Sequence, residues 1–209
     1  MKALVLKEFL MIQSYLKWLI PFVLFFTVTP ILLGDSNILL TFYSIISILL
    51  MMHSFMVDDT SQWNRFANTL PINRAEIVKS KYIANFILLV IFMVILLPVL
   101  WLAYLVTEPF MVGTEFEAIT VCFTMVIFAY TMLLPIFIKF GAKIGFLFFV
   151  LLLGLLPFMG GKILENYMSE WFYSNLFVFL ESFTAPIIGL GLYVLSYFIS
   201  VKIYENKEF

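Results

Sequence analysis

The sequence predicts an all-α, polytopic membrane protein with about six transmembrane helices, an N-terminal interfacial helix and a helical elbow between the second and third spans. Three observations predict it. Apolar residues make up 64% of the 209 and charged residues 12%, about half the charged share of a soluble domain. Apolar stretches of spanning length recur along the chain. Lysine and arginine fall in alternate breaks between those stretches. A soluble protein of this composition could not cover itself with polar surface, so lipid is the solvent for most of the chain, read as a single transmembrane domain.

The elements follow in order. Residues Met1–Ser14 place Leu4, Phe9, Leu10 and Ile12 among Lys2, Lys7, Glu8 and Gln13, a mix suited to an amphipathic helix at the interface. The run that follows is long enough to span and no small-x-small cleavage site comes after it, so it reads as a retained helix and not a signal peptide. Spans are expected at Leu16–Leu33, Ile38–Val57, Tyr82–Val106, Ala118–Ile138, Ile144–Met159 and Leu176–Ile203. The fifth is short, with Pro157 near its end; Pro186 inside the sixth is expected to kink it or mark where the span begins. The segment Gly160–Asn175, with Trp171, Phe172 and Tyr173, suits an interfacial aromatic belt.

Eleven of the twelve basic residues fall on one side if six helices alternate, and only Lys162 falls on the other. That asymmetry predicts cytoplasmic termini. Net charge is −1, which implies no attraction to nucleic acid.

Several chemistries are excluded. Gly161-Lys162 lacks the upstream glycine and following hydroxyl of a phosphate-binding loop, so the chain cannot hydrolyse ATP by that route. No zinc-protease motif occurs, and His53 and Cys122 are too few for a His/Cys metal site. The chain is not expected to be an enzyme or to carry a cofactor. Apart from Lys17 and Lys202 at span ends, His53 and Glu181 are the only Asp, Glu, Lys, Arg or His within the expected spans. No buried charge network is therefore expected, which argues against an ion-driven carrier.

The polar stretch Asp58–Lys81 carries the most information. Asp58, Asp59 or Thr60 is expected to cap a short helix ending near Leu70, where Pro71 breaks it. Asn73 then caps a second helix, with Glu76 completing a capping box, that runs straight into the third span. Trp63, Phe66, Ala67 and Leu70 share a face at helical spacing, rimmed by Arg65 and Arg74. Such a stripe suits either insertion into a partner's groove or rest on lipid headgroups.

The order Asp58-Asp59, Trp63, Leu70-Pro71, Arg74 and Lys81-Tyr82 resembles the signature of type-2 ABC transporter permeases. It is most similar to the small six-helix branch found in bacterial peptide exporters and antimicrobial-resistance systems, such as the staphylococcal phenol-soluble-modulin exporters. The resemblance implies that Asp58–Lys81 is a coupling helix docking in a cytoplasmic ABC ATPase. Its coupling residues are then Asp58, Asp59, Trp63, Phe66, Leu70, Pro71, Arg74, Glu76 and Lys81. It also implies a bacterial cytoplasmic membrane location, a second permease subunit in a homo- or heterodimer, ATP and Mg in the partner ATPase, and a segment at 160–175 that dips back into the membrane. A hydrophobic or amphipathic peptide or antimicrobial is the expected substrate, exported between the two halves. The competing reading is a non-transporting immunity protein that sequesters a toxic peptide.

Overall fold

The computed structural model describes residues 2–33, 36–106, 112–151 and 175–207. Helices and short turns account for all of them. They comprise α1 (Lys2–Leu33), α2 (Ser36–Thr60), α3 (Trp63–Ala67), α4 (Arg74–Val106), α5 (Val112–Phe140), α6 (Ala142–Leu151) and α7 (Asn175–Glu205). Among the described residues four stretches are long and apolar enough to cross a bilayer: Leu40–Thr60, Arg74–Val99, Cys122–Phe140 and Thr184–Glu205. The first expected span lies within α1. The second half of the fifth, most of Gly160–Asn175 and the side chain of Glu181 fall outside the described residues.

The expected interfacial segment and first span share one continuous helix. At 1.5 Å per residue its 32 residues run for about 48 Å, more than the roughly 30 Å of a hydrocarbon core. Leu4, Glu8 and Ile12, spaced by one turn each, form the buried face, while Leu6 and Leu10 face outward. Pro186 lies inside α7 without ending it.

α5 and α7 form the most extensive helix pair, α2 packs on α5 and α4 on α7, and α1 packs on α2 and α4. Gly189 sets the α5–α7 approach, because a Cβ there would lie 2.6 Å from Ile127 Cγ2. Hydroxyl groups link the helices inside the core. Tyr130 Oη donates to the Ser47 carbonyl at 3.1 Å, so Ser47 Oγ donates back to it at 2.7 Å. Ser196 Oγ gives its proton to the Thr131 carbonyl at 2.8 Å, so it accepts from Tyr82 Oη, which in turn accepts from Ser200. Tyr193 Oη closes on the Tyr82 carbonyl at 2.8 Å. His53 stacks on Tyr15 with centroids 4.0 Å apart, a packing contact between α1 and α2.

Candidate functional site

The start of α1, the elbow after α2, the α5–α6 turn and the end of α7 converge at one end of the bundle. These are the segments whose basic residues were expected on one side.

The local fold differs from the expected caps. α2 runs on through Asp58 and Asp59 to Thr60 instead of ending before them. Their carboxylates are engaged elsewhere, and the Thr60 hydroxyl bonds back to the Met56 and Val57 carbonyls at 3.0 Å. The chain instead turns at Gln62, whose φ of 53° is left-handed. α3 is only five residues long. Pro71 centres a tight turn in which the Ile72 N–H meets the Leu70 carbonyl at 2.7 Å. α4 then starts on the Asn73 carbonyl, which accepts from the Glu76 N–H at 2.9 Å, and continues unbroken into its apolar span.

The expected stripe divides. Ala67 is fully buried, and Trp63 and Ile72 pack against the main core. Leu70 is half-buried, whereas Phe66 is 55% exposed, beside exposed Arg65, Thr69 and Pro71. A five-residue helix presents little more than one turn, so Trp63 and Ala67 take the inward face and Phe66 points out.

Behind the elbow lies a feature that the sequence reading did not anticipate. Lys7, Glu8, Asp58 and Lys81 form a closed ring of alternating charge drawn from α1, α2 and α4. Lys7 Nζ meets Glu8 Oε1 at 3.1 Å and the Asp58 carboxylate; Lys81 Nζ meets Glu8 Oε1 at 3.2 Å and the other Asp58 oxygen. Ser54 donates to the second Glu8 oxygen. Glu8, Asp58 and Lys81 are buried and Lys7 is 20% exposed. The ring is neutral in sum, which is what makes burying four charges tolerable. Burial alone would raise the Glu8 pKa, but Lys81 and Lys7, with Ser54, outweigh it and hold the carboxyl at about 2. The sequence reading that no buried charge network exists is thus corrected. Its signal was present: Glu8 sits midway between Leu4 and Ile12 on the buried face of α1, where an unpaired carboxylate would be untenable.

The ring reaches the elbow directly. Lys7 Nζ lies 4.4 Å from the Trp63 ring centroid, and Lys81 Nζ lies 4.4 Å from that of Phe55. Two further ties hold the elbow end. Asp59 Oδ2 accepts from the Ala142 N–H at 2.6 Å and so caps α6. That contact needs Gly141, whose φ is +82° and where a Cβ would sit 3.0 Å from the same oxygen. Arg74 Nη1 donates to the Glu205 and Lys207 carbonyls at 2.7 and 3.2 Å, satisfying the end of α7, and Tyr204 Oη reaches Asn64 Oδ1 at 3.4 Å.

The nine expected coupling residues therefore fall into two groups. Asp58 and Lys81 are buried, so a second protein could feel them only through the elbow; Asp59, Arg74 and Trp63 brace it against α6, α7 and α1. Phe66 and Pro71 are exposed, and Leu70 and Glu76 are half-buried.

A family model described as ABC-2 family transporter protein matches residues 3–205, nearly the whole chain. No curated protein and no solved structure matches it.

Proposed function

The chain belongs to the ABC-2 transporter family and is thus a membrane permease component rather than the ATP-hydrolysing one; from that premise we propose that it is the permease subunit of a bacterial exporter for hydrophobic or amphipathic peptides or antimicrobials. In this reading six helices cross the cytoplasmic membrane, both termini and the elbow lie in the cytoplasm, and two permease subunits work with two ATPases. ATP and Mg bind in those ATPases.

One observation carries the reading. The elbow is braced from behind by contacts to α1 and α7, yet keeps Phe66, Arg65 and Pro71 exposed on its far side. A rigid mount with one free apolar side chain is what a groove on a moving partner can grip and push. Closure of the ATPases on ATP would then bias the bundle between two states through α2 and α4. The buried charges Asp58 and Lys81 pair with each other, and the exposed faces offer Phe, Met and Leu, surfaces that adapt to varied greasy cargo.

Phe66→Ala tests the assignment most cleanly, because Phe66 is exposed whereas Arg74 also holds the end of α7. In proteoliposomes holding the permease and its ATPase, the variant should fold normally but lose peptide export by about tenfold or more, as for a truncated hot spot. Export at the unmodified rate would refute the coupling role. Resistance to a peptide that persists with a hydrolysis-dead ATPase would instead favour sequestration.

A further inference from the structure

Between α5 and α7, at the elbow end, lies a cleft of about 470 Å³ lined by Lys139, Lys202, Lys207, Asn206, Ile199 and Ile203. We propose that this cleft binds the phosphate headgroup of an anionic phospholipid, with one acyl chain laid along α7.

Two independent features meet there. The first is charge: among the described residues three lysines and no carboxylate line the cleft. Lys207 donates to the Ile138 carbonyl at 2.8 Å, which fixes its ammonium at the α5 side of the cleft. Burial pushes the Lys207 pKa down, with Asp59 acting against it. An anion in the cleft would relieve that desolvation. The second is the apolar track leading away. Ile188, Leu192, Leu195 and Ile199 are exposed and repeat every three or four residues, and Lys202 and Asn206 continue the same face. From Ile188 to Lys202 the stripe runs about 21 Å, longer than the roughly 15 Å depth of one leaflet. The track lies within the apolar span Thr184–Glu205, so the lysines sit where headgroups would be.

Other occupants fit less well. A second copy meeting this face across a two-fold axis would bring the same lysines together. A soluble partner would leave the apolar track unmatched. The proposal does not depend on the exporter reading, since it concerns the bundle and its lipid alone.

The test is lipid titration of the purified chain in non-ionic detergent, followed by native mass spectrometry. Dioleoyl phosphatidylglycerol should bind at least about tenfold tighter than dioleoyl phosphatidylcholine, given roughly fivefold per lysine near the headgroup. K139Q/K202Q/K207Q should bring that ratio near one, while K2Q/K17Q/K143Q, equal in charge loss but outside the cleft, should keep it. The exposed pair K139Q/K202Q should still lower the ratio several-fold, and it covers the case where losing the Lys207 contact unfolds the chain. Equal loss in both triple variants would overturn the site, as would inorganic phosphate competing as well as the lipid. So would protection of these lysines from acylation only when the ATPase is present.

Discussion

Lys81 and Tyr82 are neighbours on α4 that lock opposite sides of the bundle by different means. Lys81 enters the ionic ring with α1 and α2, and Tyr82 enters the hydroxyl chain with α7 that ends on α5. Both networks are buried and both join helices distant in sequence. They differ in what remains after one member is lost. A hydroxyl network can re-pair, because a serine in a helix can turn to its own backbone carbonyl. A ring of four charges cannot, because removing one leaves a buried net charge. The ring side, which also touches the elbow through Trp63, is therefore all-or-none, and the α7 side is graded.

The largest effect should come from breaking the ring. Lys81→Met or Asp58→Asn alone should each destabilise the chain by about 3–5 kcal/mol, read as unfolding in mixed micelles. The double variant removes one charge of each sign and leaves the Lys7–Glu8 pair intact. It should be clearly more stable than the two single losses added together. Additive losses would show that the four charges do not act as one unit, and the contrast with the α7 side would disappear.

A smaller effect separates the two sides by pH. The Glu8 carboxyl is held at about 2 in the fold against 4.5 for the free group. A depressed carboxylate pKa adds stability that is complete above about 4.5 and lost as pH falls toward about 2. The groups facing it are Lys7 on its own helix, Ser54 on α2 and Lys81 on α4, with Asp58 across the ring. Melting temperature in detergent should drop across that window. Glu8→Gln should be less stable near neutral pH yet show a shallower acid slope. An unchanged slope would mean that Glu8 does not sense the ring's charges.

How far the sequence revealed these features follows the same division. The all-α, polytopic character with four apolar stretches of spanning length among the described residues, the Pro71 break and the passage of α4 into its span were legible, because they depend on local patterning and backbone sterics. The family was legible from the order of motifs between Asp58 and Tyr82. The ring was not, since it needs α1 to fold back and set Glu8 between Asp58 and Lys81, a contact spanning 73 residues to Lys81. The inward turn of Ala67 was also hidden. It depends on Gln62 adopting a left-handed φ, and glutamine carries no strong signal for that conformation. The cap on α6 escaped for a similar reason, because its acceptor is Asp59 from the end of α2 rather than a local residue.

The smallest expected effect tests the graded side directly. Tyr82→Phe removes the hydroxyl that accepts from Ser200 and donates to Ser196. Ser196 keeps its bond to the Thr131 carbonyl, and Ser200 can turn to a carbonyl one turn back on α7. The tilted ring contact with Tyr193, with centroids 5.1 Å apart, survives the change. The loss should then be near the roughly 0.6 kcal/mol typical of a hydrogen bond between membrane helices, several times below the ring variants. A loss as large as that of Lys81→Met would mean that the hydroxyl chain is as indivisible as the ring. The asymmetry would then reflect burial alone and not the inability of a charge to find a second partner.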